Sequence, residues 1–171
     1  MRSWPAVRLV VGLTLGACRI GRTPEPGRGL DAAHAAAISD SVRAFATSVA
    51  QGVSRNGPAA WRGYFEDSPA FFMASEGQLV LPTSDSATRV IEGLTQRIVR
   101  IELRWGEGLR VDPLGPGLAM VAAPYTEVRV DRAGRRVEEA GYFTGIAEHG
   151  APGWQFRNAH WSVLGPPSRV P

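Results

Sequence analysis

Apolar residues recur in steps of four, three, four and four through Ile38, Val42, Phe45, Val49 and Val53, which is the stripe of an amphipathic helix. Asn56-Gly57-Pro58 ends it. Pro58 suits the first position of a second, short helix, "PAAWRGYFE", whose Trp61, Tyr64 and Phe65 pack back on the first. After the breaker "EDSP", two short β-rich runs, "PAFFMAS" and "QLVLPT", meet at Glu76-Gly77 and predict a hairpin. Helical spacing returns in "SDSATRVIEGLTQRI", where Val90, Ile91, Leu94 and Ile98 share a face and Ser84 or Asp85 can cap the first turn.

The period then changes from helical to alternating. Val99, Ile101, Leu103 and Trp105 point one way and Arg100, Glu102 and Arg104 the other, the pattern of a strand with one wet face. Three further strands are predicted at about 117–130, 135–149 and 153–164, separated by the turn sequences "DRAG" and "GAPG". The glycines around Leu114–Gly117 make a turn between strands, not a phosphate cradle, because no helix opens after them. Helices followed by a run of antiparallel strands predict an α+β domain, a curved sheet wrapped onto about three helices of the N-terminal half.

The chain ahead of Leu30 has a different character. Arg2 and Arg8 flank a polar start, and "LVVGLTL" is less than half the about 20 apolar residues that a membrane span needs, so residues 1–17 read as an export signal. "LGAC" at Leu15–Cys18 resembles the bacterial lipoprotein box, in which small residues precede a cysteine that is acylated after cleavage. Cys18 is the only cysteine, so it has no internal disulfide partner, and lipidation accounts for it. Residues 18–29, "CRIGRTPEPGRG", read as a flexible tether, residues 30–165 as one domain and 166–171 as a tail. The expected location is the cell envelope, with the lipid holding the domain on a membrane; Arg19 resembles the outer-membrane rather than the inner-membrane type of a Gram-negative cell.

Composition adds exclusions. The chain is 44% hydrophobic and 20% charged, as a globular domain requires. Its 19 basic residues are all arginine, and removing Arg2 and Arg8 with the signal leaves 17 against 16 acidic groups. With so small an excess and no arginine cluster interleaved with aromatics, nucleic acid is not an expected partner. His34, His149 and His160 are too far apart for metal-ligand spacing, and no dinucleotide or nucleophile motif occurs, so neither metal nor cofactor is expected.

The phrases "YFEDSPAFFMASEGQLVLPTSDSATRVIEGL", "LGPGLAMVAAPYTEV", "GYFTGIAEH" and "GWQFRNAHWSV" resemble, in that order, successive elements of the nuclear-transport-factor-2-like superfamily, in its SnoaL-like branch. The resemblance covers about residues 30–164 and implies a cystatin-like α+β cone. It does not imply one activity, since the superfamily includes polyketide cyclases, ketosteroid isomerases, dehydratases and oligomerising adaptor domains.

Within such a cone, strict alternation of the last strand puts Trp154, Phe156, Asn158, His160 and Ser162 on one face, so that His160 could point inward as an acid or base. A structural histidine satisfied by Ser162 or a carbonyl explains it as well. Asp67 is the other catalytic candidate, against a capping role in "EDSP". Tyr125 and Glu127, two apart on one strand, and Tyr142 with Thr144 on the next, form a candidate polar patch; Tyr64, Trp105, Asn158, His160 and Ser162 join them as pocket candidates. The functional expectation is a tethered cone that binds a small apolar ligand or a protein partner. The alternative is an isomerase, cyclase or dehydratase using His160 or Asp67. A homodimer through the sheet face, with Trp105, Trp161 and Val163 in the interface, fits either.

Overall fold

The computed structural model describes residues 30–165; the predicted export signal, Cys18, the predicted tether and the tail lie outside the described residues. The first helix, α1 (Ala32–Asn56), buries Val42, Phe45, Val49 and Val53 as its periodicity requires, and Asp31 caps it through the His34 N–H. Gly57, at φ 72°, ends it, and a single 3₁₀ turn (Pro58–Ala60) leads into α2 (Trp61–Tyr64). Strands β1 (Phe72–Ser75) and β2 (Gln78–Leu81) form the hairpin, and α3 (Ser84–Arg97) follows. Its cap is Thr83, one residue before the predicted Ser84 and two before Asp85. The Thr83 side chain accepts from the Ser86 N–H and the Ser86 hydroxyl accepts from the Thr83 N–H.

The remaining elements are β3 (Ile98–Trp105), β4 (Arg110–Gly115), β5 (Leu118–Asp131), β6 (Arg136–Gly150) and β7 (Gly153–Val163). The seven-stranded sheet runs β2-β1-β7-β6-β5-β3, and β4 also pairs with β5. Two corrections to the predicted sheet follow. It is mixed rather than wholly antiparallel, because β1 lies parallel to β7; short apolar runs carry no information on strand direction. And β4, which the hydrophobic pattern does not mark, occupies one half of the long β5 while β3 occupies the other.

Strand β5 can serve two partners because it is 14 residues long and the sheet curves. All three helices lie on the concave side, with α1 against β3, β4 and β5, α2 against β7 and α3 against β2 and β3. Phe71, Phe143 and Phe156 are fully buried there, and Phe143 meets Phe156 at 4.9 Å between ring centroids. Glycines on β6 permit this closeness: a Cβ at Gly145 would stand 2.8 Å from the Phe143 ring and from the Asn158 carbonyl.

Irregularities in two strands shift the predicted faces. A register shift between Ile98 and Arg100 turns Val99 outward, where it is 56% exposed, while Ile101 and Leu103 stay in the core. In β7, Phe156 pairs with Ala147 and Asn158 with Ile146, so Arg157 is an extra residue, a β-bulge. The inner face therefore passes from Phe156 to Ala159, Trp161 and Val163, and Asn158, His160 and Ser162 fall on the outer face.

Candidate functional site

On the concave side the aromatic packing leaves a cavity of about 190 Å³, bounded by α2, α3 and strands β1, β2, β3, β5, β6 and β7. Its wall is apolar: Trp61 at the start of α2 and Phe65 just past its end, Leu81, Ile91, Leu94 and Ile101, and Trp161 and Val163 from β7. Trp161 organises that wall. Its ring meets Tyr125 edge-on at 4.6 Å and Trp61 at 5.7 Å, and stacks with Trp105 at 5.9 Å. The bulge at Arg157 puts Trp161 there; unbroken alternation would have turned it outward.

One side of the cavity is polar. Tyr125, Glu127 and Arg129 occupy successive inward positions on β5, and Glu139 on β6 pairs directly with Glu127. The Arg129 Nε lies 3.2 Å from a Glu127 oxygen, and its terminal amino group pairs with Glu139. Burial holds the Glu127 carboxyl above its ordinary value; Arg129 pulls it down and Glu139 pushes it further up. Desolvation thus outweighs the ion pair. Tyr125 is pushed up to about 12, first by burial and then by the negative charge of Glu139, Glu127 and Glu76, so its phenol remains a neutral hydrogen-bond donor at physiological pH.

Two local devices position these groups. Gly141 pairs with Tyr125 across the β5–β6 ladder, and a Cβ there would stand 2.9 Å from the Tyr125 ring and 1.8 Å from the Ser162 carbonyl oxygen. The ring lies over backbone, which only glycine allows. The β1–β2 turn places Glu76 at φ 50° and Gly77 at φ 75°, the positive pair of a two-residue hairpin turn. The Glu76 carboxylate offsets that strained conformation by accepting the Val163 N–H at 2.6 Å. It thereby ties the hairpin to the end of β7.

No protein-family model matches the chain, and no curated protein sequence matches it. Solved structures do. A nuclear-transport-factor-2-like superfamily protein from Salmonella enterica serovar Typhimurium superposes with a TM-score of 0.59 at 13% identity, over 78% of this chain and 93% of that one. A ketosteroid isomerase-like protein from Erwinia carotovora atroseptica gives 0.57 at 15%, over 74% and 96%. A hexachlorocyclohexane dehydrochlorinase gives 0.57 at 11%, over 75% and 93%. The chain has the nuclear-transport-factor-2-like cone fold. At these identities the likeness concerns the fold.

Of the catalytic and pocket candidates from the sequence, this cone brings only Tyr125 and Glu127 into its cavity. Tyr64 instead braces the helices: its hydroxyl donates to the Ser48 carbonyl at 2.9 Å and its ring meets Phe45 edge-on at 6.1 Å. Trp105 donates from Nε1 to the Ala46 carbonyl at 2.7 Å, joining β3 to α1. Asp67 is exposed in the loop before β1 and does not line this cavity.

His160, Asn158 and Thr144 line a shallow depression on the opposite, convex face, with Phe72 and Met120. Asn158 accepts the Ile146 N–H at 3.1 Å, across the bulge, and Ser162 donates to the Tyr142 carbonyl at 3.1 Å. His160 is exposed there and does not point into the cone. Trp61, Phe65, Arg129, Glu139 and Trp161 were not among the pocket candidates. The inward run Tyr125, Glu127, Arg129 was available in the alternation of β5; the pairing of Glu139 with Glu127 required the register. Among the described residues no cluster of His, Cys, Asp and Glu has metal-site geometry.

Proposed function

We propose that the cone binds a small, mainly apolar molecule with a polar end, the apolar part against Trp61, Phe65 and Trp161 and the polar part toward Tyr125 and Glu127. The observation that carries this reading is the cavity itself: an apolar wall with one polar side, where burial keeps a carboxyl and a phenol protonatable. Small-molecule sites have that composition. Native mass spectra of the Cys18→Ser protein, which lacks the acylation site, are the test. A retained small-molecule mass should be lost in Leu94→Trp, which fills the cavity, and kept in His160→Ala, on the other face. Loss in His160→Ala alone would move the site to the convex face. Bare polypeptide throughout, with no tryptophan fluorescence change on adding apolar probes, would sink the proposal.

A second reading, acid–base catalysis, is favoured by the position of Glu127 beside Tyr125. Ionised Glu127 would take a proton next to a ligand carbonyl while Tyr125 donates to the carbonyl oxygen, and return of the proton to another carbon would complete an isomerisation. Among solved structures of this fold are a ketosteroid isomerase-like protein and a dehydrochlorinase, which makes such chemistry worth assaying. These roles replace those of His160 and Asp67. Turnover of small β,γ-unsaturated ketones, absent in Glu127→Gln and unaffected by His160→Ala and Asp67→Asn, is the expected result.

The SnoaL-like placement within the superfamily rests on the strand phrases quoted above, and the envelope location on the Leu15–Cys18 box. On this reading Cys18 carries the lipid and residues 18–29 hold the cone off a membrane. Full-length protein in a bacterial host should fractionate with membranes, and Cys18→Ala should release it; membrane retention of that variant would refute lipid anchoring. Self-association is proposed through the convex sheet face, where Phe72 and Tyr142 are exposed.

A further inference from the structure

The cavity is small for a ligand site. Such sites are ordinarily about 300–1,000 Å³, and this one is about 190 Å³. Leu94 and Arg129, however, also line an adjoining, wider groove of about 500 Å³, between the C-terminal end of α3 and the β5–β6 turn. Cavity and groove thus meet at Leu94 and Arg129. The charged lining of that groove is Arg97, Arg129, Arg132 and Arg135 against Asp131 alone.

Two of the arginines are engaged: Arg129 with Glu127 and Glu139, and Arg135 with Asp131. Arg97 and Arg132 meet no carboxylate among the described residues. Both are nevertheless held in place. Arg97 Nε donates to the Gly93 carbonyl at 3.1 Å, Arg132 Nε donates to the Gln96 carbonyl, and the Arg132 N–H donates to the Arg97 carbonyl at 3.1 Å. Capping of the α3 carbonyls accounts for these bonds. It leaves the terminal guanidinium nitrogens, in the planar fork that suits an oxyanion, without a carboxylate beside an apolar cavity. The acids that face them, Asp131, Glu127 and Glu139, are already paired with Arg135 and Arg129.

We propose that the ligand of the cone is an anionic amphiphile, its apolar end against Trp61, Phe65 and Trp161 and its polar part running past Tyr125 and Glu127 to an oxyanion head, a carboxylate or phosphate, held in the groove by Arg97 and Arg132. The inference rests on the ligand-binding reading above and names the class of ligand. A neutral ligand of the same length would leave both guanidiniums unused.

Trp61 and Trp161 line the cavity, so tryptophan fluorescence reports its occupation. The Cys18→Ser protein is titrated with decanoate, decyl phosphate and decanol at low salt, each below its aggregation limit. At least one anion should bind about tenfold more tightly than decanol, with the advantage shrinking as salt rises. In Arg97→Gln/Arg132→Gln that advantage should vanish while the affinity for decanol stays unchanged. The preferred anion identifies the head. Decanol binding as tightly as both anions would overturn the inference and leave the cavity reading standing. So would an anion advantage that survives in the double variant, or loss of decanol binding there together with the anions. Binding of none of the three would overturn both readings.

Discussion

At the scale of the residue, Glu127 shows how burial and an ion pair compete. Its carboxyl titrates above the ordinary 4.5 because burial disfavours the charge more than Arg129 favours it. Just above 4.5 the folded protein thus keeps a proton that the unfolded chain releases, and stability falls as pH rises through that interval. Glu127→Gln removes this loss. Urea midpoints measured from pH 4 to 8 should show the variant gaining on the native protein as pH rises. A difference of the opposite sign would mean that the Arg129 pair outweighs desolvation. The chemistry of Tyr125 and Glu127 was legible in the sequence as two polar residues two apart on one strand. The environment that shifts their titration was not, because Glu139, Glu76 and the aromatic wall come from elsewhere in the chain.

Elements depend on single positions that pattern reading ranks low. Thr83, not Ser84 or Asp85, closes the capping box of α3, and Thr83→Ala should cost about 1 kcal/mol in chemical denaturation. Ser84→Ala should cost much less, which distinguishes the observed cap from the predicted one. Gly141 has no special φ; it is glycine because Ser162 and Tyr125 occupy the space of a Cβ. Gly141→Ala should destabilise the domain by about 1–3 kcal/mol and displace the Tyr125 ring, read as a changed near-ultraviolet circular dichroism. Helix α1 and the alternating strands were legible because their periods persist over many residues. The bulge at Arg157 was not: one extra residue inverts every later side chain, and nothing in "GWQFRNAHWSV" marks where the phase breaks.

At the scale of the molecule, the three helices cover only the concave side of the sheet. The convex face carries Phe72 and Tyr142, each more than 40% exposed, together with Met120 and His160. Trp105, Trp161 and Val163, placed in the dimer interface by the sequence reading, instead face the core or the cavity. The self-association proposed above therefore uses the outer set. Light scattering of the Cys18→Ser protein over a concentration series should show dimers, and Phe72→Glu/Tyr142→Glu should shift them to monomers without loss of thermal stability. Monomers at every concentration would exclude the proposed interface.

The periodicities of this sequence by themselves determined the helices, the main strands and their order, and so the α+β class, because amphipathic period and turn residues act locally. Tertiary structure alone decided the direction of β1, the place of β4 and which face of β7 turns inward. Those depend on register and on one bulge, and register is settled by which inner faces fill the cone together. The candidate site followed from that decision: of the sequence candidates, His160 fell on the convex face and Tyr125 and Glu127 inside, where residues far apart in the chain bury them and bring the charges close.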